Sequence, residues 1–202
     1  NPHFLYNTLD SIAWMCERGK NADAVKMVHA LAKLFRISIS RGHELIPIEK
    51  ELQHAESYLL IQKFRYKNQF TYHFTVEESC LHCLCNKITL QPIIENSITH
   101  GLDLLVEPGH IEIEVCSEGE DVLFKVRDDG IGMAPEQVAE LLQHEPSDRT
   151  GIGIKNVNDR LQIYFGPQYG LSIESMPDEG TTVTIRMPRV PEDREGDYDK
   201  AR

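Results

Sequence analysis

The stretch Gln91–Gly101, QPIIENSITHG, decides how this chain is read, because later glycine-rich segments complete its chemistry. Pro92 suits the first turn of a helix, where its missing N–H costs nothing, and Gly101 suits the stop. On such a helix Asn96 and His100 stand four residues apart on one face, with Glu95 at its edge. A carboxylate, an amide oxygen and an imidazole are offered together. Taken alone, that pattern is no more than a polar helix face with a satisfied histidine.

Three downstream segments change the reading. Asp128-Asp129-Gly130-Ile131-Gly132-Met133 follows the alternating run Val122, Phe124, Val126, which predicts a strand ending in a loop. A carboxylate there, backed by glycines that let a planar ligand approach the backbone, suits an exocyclic amine. Gly151-Ile152-Gly153-Ile154-Lys155-Asn156 opens a helix with apolar positions Ile154, Val157 and Leu161. Glycines before a helix N-terminus leave free N–H groups and a positive dipole end for phosphate, and Lys155 adds charge. Gly180-Thr181-Thr182-Val183 leads into the alternating strand Val183, Ile185, Met187. Each segment alone is weak, but the four in this order and spacing are specific.

In that order they resemble the ATP-binding (Bergerat-type) domain shared by histidine kinases, DNA gyrase, Hsp90 and MutL. ENSITHG is similar to its N box, DDGIGM to its G1 box, GIGIKN to its G2 box and GTTV to its threonine motif, over roughly residues 67 to 188. The resemblance implies ATP and Mg²⁺ as ligands. Asn96 would hold the metal, Asp128 would read the adenine amine, and Gly151 and Gly153 would contact phosphate. His100, Gly101, Gly130, Gly132, Lys155, Asn156 and Thr182 complete the implied nucleotide site. Arg160 reads more simply as a surface ion pair than as a phosphate contact.

The chain has 202 residues, 41% hydrophobic and 26% charged, which describes a globular protein with room for one or two domains. A net charge of −11 argues against a broad nucleic-acid surface or attraction to anionic lipid. No apolar run approaches the roughly 20 residues of a membrane span. Beginning at Asn1-Pro2 without Met, the chain reads as the cytoplasmic portion of a longer, membrane-anchored protein. Cys80 and Cys83 have the spacing of half a zinc site, but no second pair accompanies them, so packed, reduced thiols are expected.

Ahead of the nucleotide segments the pattern is helical. Leu5, Leu9, Ile12 and Cys16 share one face of a helix over residues 4 to 17, with His3, Asn7, Asp10 and Trp14 opposite. Gly19 ends it and Asn21 is a plausible cap for the next. Val25, Val28, Ala32, Phe35 and Ile39 then form the seam of a second helix. A third runs from Pro47 to about Arg65, with Ile48, Leu52, Ala55 and Leu59 inward and Glu49, Lys50 and Glu51 outward. Two short amphipathic helices cannot bury both faces alone, which suggests a dimeric four-helix bundle, or else packing against the downstream domain.

Alternation at Phe70, Tyr72, Phe74 and Val76 marks the change to an α/β unit, and Ile111, Ile113 and Val115 give another strand. The expected class is therefore α+β, with a helical hairpin (residues 1–66) before an α/β-sandwich ATP-binding domain (67–188). Pro135 to about Gln143 reads as a short helix, residues 145–150 as a polar loop suited to a lid, and the tail from Arg189 as poorly ordered.

Asn1-Pro2-His3-Phe4-Leu5-Tyr6-Asn7 resembles the phosphoacceptor motif of LytS-like (YehU-like) sensor histidine kinases. PIEKELQHAESYLLIQKFRY, Pro47–Tyr66, is similar to the same family. That resemblance implies phosphorylation of His3 from ATP, with Asn7 its polar neighbour one turn on, and transfer to an aspartate of a response regulator. It also implies a homodimer. Where many histidine kinases carry an acidic residue after the phosphoacceptor, Phe4 stands here, and Glu95 becomes the candidate base. A conformational ATPase or a kinase-inactive scaffold are the alternatives from other classes.

Overall fold

The computed structural model describes residues 2–39, 44–102, 105, 107–143 and 152–194. Two helices, α1 (Pro2–Glu17) and α2 (Asn21–Ile39), are joined by a turn at Gly19, whose φ of 72° is the left-handed conformation that glycine adopts freely at a helix end. A short strand β1 (Leu45–Pro47) leads into α3 (Ile48–Arg65). There follow β2 (Phe70–Val76), β3 (Leu84–Asn86), α4 (Leu90–Asn96), β4 (Gly109–Glu118), β5 (Asp121–Asp128) and α5 (Pro135–Gln143). Helix α6 (Ile152–Phe165), β6 (Gly170–Met176) and β7 (Gly180–Pro188) complete the set.

Five strands form one sheet in the order β2-β4-β5-β7-β6, parallel between β2 and β4 and antiparallel elsewhere. One face carries Ile111, Ile113, Val115, Val122, Phe124, Val126, Val183, Ile185 and Met187, all buried in a core shared with α3, α4 and α6. The other face presents Thr71, His73, Thr75, Arg127 and Arg186 to solvent. This is the α/β sandwich expected from the alternation in β2, β4, β5 and β7, with helices before it.

The pair β1–β3 is antiparallel, Leu45 opposite Asn86, and ties the start of α3 to the chain entering α4. Helix α3 also packs on α2 and α4, so it is built into both halves of the molecule.

Several expectations need correction. In α1, Leu9 and Cys16 are exposed, while Thr8 and Met15 are buried and Phe4 packs on the core. In α2 the buried positions are Ala24, Met27, Ala30, Leu31 and Leu34, which face α3, whereas Val25, Val28 and Ile39 of the expected seam are 54%, 49% and 65% exposed. The helix has two apolar stripes, and the inner one belongs to α3. Glu51, expected outward, is fully buried.

The chain just past Arg189 is tied to the domain: Val190 is buried, its carbonyl accepts the Leu84 N–H at 2.7 Å, and Pro191 bridges to Cys83 before a short helical turn, Glu192–Arg194. Residues 195–202 and the expected lid over 145–150 lie outside the described residues.

Candidate functional site

Helix α4 does not end where its α-helical bonds stop. From Ser97 to Leu102 it continues as a wider π-helical turn, a winding concentrated at functional sites. The turn carries Gly101 against the loop after β5. A Cβ at Gly101 would stand 2.9 Å from Asp128 Oδ1, and one at Gly130 would stand 2.6 Å from the Gly101 backbone. The Ile131 N–H donates to the Gly101 carbonyl at 3.2 Å. Two glycines thus let two backbones meet over one carboxylate.

That carboxylate is 2% exposed. Burial pushes the Asp128 carboxyl above its usual range, opposed by hydrogen bonds from the Ser97 hydroxyl and from the Gly130 and Thr181 N–H groups. The Gly130 bond measures 3.0 Å. Asp128 is held as an oriented acceptor at the end of β5, beside the π-turn.

The loop is closed from the other side by β6 and β7. Gly132 has φ 64°, and a Cβ there would lie 1.8 Å from the Met176 carbonyl oxygen, a contact that no other residue type allows. Gly180, at φ 91°, lies as tightly against the Asp128 carbonyl. Ser175 joins the pieces: its hydroxyl accepts the Met133 N–H at 2.8 Å and lies 2.8 Å from Thr181 Oγ1.

The register sets Thr181 and the expected Thr182 on opposite faces of the sheet. Asp128 pairs with Thr181 and Arg127 with Thr182, so Thr181 shares the inner face with Asp128 and Thr182 lies on the outer one. The alternation Val183, Ile185, Met187 extends back to Thr181 and carried that signal. Ser97 and Ser175 had no signal in the sequence.

Other site residues are more spread. Asn96 is half-buried, and Glu95 and His100 are exposed on α4 and its continuation. Gly153 lies in the first turn of α6, where a Cβ would stand 3.2 Å from Pro92 Cβ, so it brings the starts of α6 and α4 close together. Lys155 pairs with Asp159 at 3.9 Å, and Asn156 is exposed. Gly151 lies outside the described residues. Among the described residues Arg160 makes no surface ion pair of the expected kind: it turns inward, its Nη2 donating to the Ile88 carbonyl at 3.0 Å.

His3 and Asn7 are exposed on the same side of α1. The neighbour of His3, Phe4, stacks on Tyr58 of α3 with ring centroids 5.4 Å apart. Burial chiefly, and then the charge of Glu95, raise the Tyr58 hydroxyl well above its ordinary range, while Gln62 donates to it at 2.7 Å. Phe4, beside His3, thus rests on α3, the helix that also packs on α4.

A groove of about 230 Å³ between α3 and β2, lined by Leu52, Phe74, Val76 and Leu81, is rimmed by Glu49 and Glu56, the wrong sign for a polyphosphate. Among the described residues, no group of three or more His, Cys, Asp or Glu side chains is arranged to hold a metal ion. A hard cation at Asn96 would need its other ligands from phosphate and water, the usual arrangement for Mg²⁺, and the half-buried amide oxygen beside exposed Glu95 fits that role.

Comparison with known proteins agrees with this geometry. Residues 85–191 match the family described as histidine kinase-, DNA gyrase B-, and HSP90-like ATPase. The chain belongs to that family. Residues 1–70 match the histidine kinase family in addition.

Relatives include the sensor histidine kinase YesM of Bacillus subtilis, 35% identical over 93% of this chain. BtsS of Escherichia coli is 31% identical over 93%, and the sensor protein LytS of Bacillus anthracis 31% over 94%. The expected kinship with LytS-like sensor kinases is borne out, although the chain spans 32% of the length of each of these relatives. The fold is similar to that of the histidine kinase domain of a blue-light activated histidine kinase from Erythrobacter litoralis, with TM-score 0.59 and 13% identity over 100% of this chain and 98% of that one. The catalytic domain of the histidine kinase ThkA gives 0.55 and 17%, covering 73% of this chain and 97% of that one. Among the described residues no helix is long and apolar enough to cross a membrane.

Proposed function

We propose that this chain is the kinase core of a two-component sensor, transferring the γ-phosphoryl group of ATP to His3 and from there to an aspartate of a response regulator. The observation that carries this reading is the buried Asp128 carboxylate, framed by Gly101 of the turn after α4 and Gly130 of the loop after β5, with Phe4, beside His3, stacked on Tyr58 of the α3 helix that packs on α4. A nucleotide reader and the neighbour of a candidate phosphoacceptor are linked through the same short set of elements.

In this reading Asp128 accepts a hydrogen bond from the adenine amine, and Gly101, Gly130 and Gly132 leave room for the planar base. Gly151, Gly153, Lys155 and Asn156 at the start of α6 bind phosphate, where the helix N-terminus favours anions. Asn96 and His100 border the same side, and Asn96 holds Mg²⁺, which supplies neutralisation of phosphate charge when bound. Thr181, rather than Thr182, is the threonine of the site.

His3 attacks through the ring nitrogen that carries no proton. The new N–P bond replaces the bond from the γ-phosphorus to the bridging oxygen, and ADP leaves. The other ring nitrogen gives up its proton, for which Glu95 is the candidate acceptor, while Asn7 orients the ring. Positioning supplies most of the acceleration.

A homodimer completes the assembly. The outer stripe of α2, Val25, Val28 and Ile39, together with Leu9 of α1, is an exposed apolar face suited to a four-helix bundle with a second copy. We read residues 1–66 as the phosphotransfer and dimerisation region and 67–188 as the ATP-binding region.

The test is incubation with γ-labelled ATP and Mg²⁺, comparing wild type with His3→Gln and Asn96→Ala. Acid-labile label lost in both variants supports the reading. Label surviving His3→Gln moves the phosphoacceptor elsewhere. Released phosphate without protein label indicates an ATPase, and nucleotide binding without either indicates a scaffold.

A further inference from the structure

Between β3 and α4 the backbone does something unusual. Ile88 has φ 57°, a left-handed conformation that a β-branched residue adopts only when its surroundings impose it. Both polar groups of that residue are gripped by charged side chains from different elements. Glu51 Oε2 of α3 accepts its N–H at 2.8 Å, and Arg160 Nη2 of α6 donates to its carbonyl at 3.0 Å. The other oxygen of Glu51 accepts the N–H groups of Thr89 and Leu90 at 2.7 and 2.8 Å, capping the start of α4 from 39 residues earlier in the chain.

The arrangement is costly in other ways. Glu51 is fully buried, and burial pushes its carboxyl upward against the pull of those three donors and of Arg160. Asn86, two residues before Ile88 and also fully buried, has no partner for either amide atom among the described residues, and neither does Arg160 Nε. A stability-driven design would have placed a glycine at 88 and apolar residues around it. Strain, a buried carboxylate and unsatisfied polar groups converge instead on the peptide that leads into the helix bearing Glu95 and Asn96. Such convergence marks a held element rather than an indifferent one.

We infer that Glu51 and Arg160 are positioning residues: by clamping the Ile88 peptide from both sides they set the pose of α4, so that a shift of α3 or α6 is passed to Glu95 and Asn96. Neither touches the reacting atoms. Helix α3 packs on α2 and meets Phe4 through Tyr58, and α6 begins in the phosphate-binding segment, so the clamp joins the phosphoacceptor side to the nucleotide side at one residue. The inference rests on the kinase reading for its catalytic consequence but not for its structural one.

The experiment uses the full chain as wild type, Glu51→Gln, Arg160→Gln and the double variant. Three quantities are measured: affinity for trinitrophenyl-ATP, single-turnover transfer from ATP to His3, and amide exchange along the chain. Affinity is expected to stay within about threefold, while transfer falls by about tenfold or more, the effect of losing a hydrogen bond to a charged group. The double variant is expected to be no slower than the slower single one, because one clamp fails either way.

Exchange over residues 93–102 is expected to quicken by about tenfold, with β4 and β5 unchanged, as for a local rather than global opening. Normal transfer together with normal exchange over 93–102 in a folded variant overturns the inference. So does exchange that quickens equally in the sheet, because that is general destabilisation. If Glu51→Gln does not fold, Arg160→Gln decides, since it removes a single contact to Ile88. If wild type itself takes no label, the kinase reading fails and the exchange measurement alone decides the clamp.

Discussion

Asp128 Oδ1 lies so close beneath Gly101 that a single added methyl group would stand 2.9 Å away. The Gly130 and Thr181 N–H groups also hold this carboxylate, so making room for that methyl means giving up one of those bonds. Gly101→Ala is therefore expected to turn Asp128 away and weaken ATP binding by about tenfold to a hundredfold, the range for one charged hydrogen bond. Isothermal titration with ATP and Mg²⁺ checks it, with Asp128→Asn as the companion variant expected to lose a similar amount. Unchanged affinity in both would remove Asp128 from the nucleotide site.

Phe4→Ala separates binding from transfer. Loss of the stack on Tyr58 is expected to cost about 1 kcal/mol of stability, the size of an aromatic pair beyond its area. ATP affinity should not change, because Phe4 lies on α1, while labelling of His3 should slow by an order of magnitude as the first turn of the helix loosens. Equal slowing in Met15→Ala, buried about three turns further along α1, would point to general loosening of the helices instead.

His54 gives the protein an acid limit. It is fully buried on α3, with Nε2 2.9 Å from Ser38 Oγ of α2, and burial lowers its pKa to about 4. The unfolded chain, at about 6.5, takes up the proton first, so the stability is full above pH 6.5 and is lost as pH falls from there towards 4. By pH 5 the loss is about 2 kcal/mol. Chemical denaturation at pH 7 and pH 5 should show this difference in wild type and a much smaller one in His54→Gln.

The outer stripe of α2 makes a prediction about assembly. Val25→Glu and Val28→Glu place charge where a second copy would pack, and sedimentation is expected to show a shift from dimer to monomer with ATP affinity retained. Both positions are half-exposed in the single chain, so neither change should disturb its own core. A wild type that sediments as a monomer would reject the four-helix arrangement.

Local patterns were the legible part of this molecule. Glycines at 130 and 132 marked a place where a partner comes close to the backbone, and alternation in β4, β5 and β7 marked strands. What periodicity could not choose was between the two apolar stripes of α2: Met27, Leu31 and Leu34 turn towards α3, and only the tertiary fold selects them. Glu51 misled for the same reason. A charged residue on a helix reads as solvated, and its partners, the N–H groups of Ile88, Thr89 and Leu90, come from a distant part of the sequence. The inner-face place of Thr181 was within reach, since the alternation Val183, Ile185, Met187 extends back to it by one step.

The distribution of the thiols makes the molecule its own reporter. Cys80, Cys83 and Cys85 are buried, and burial pushes the Cys80 and Cys85 thiols upward, away from the reactive thiolate form. Cys116 is half-buried and shifted the same way for the same cause. Cys16 alone among them is exposed, near the end of α1. A thiol-reactive dye will therefore attach first at Cys16, without engineered cysteines, and its emission will follow whatever approaches the free side of the helical pair.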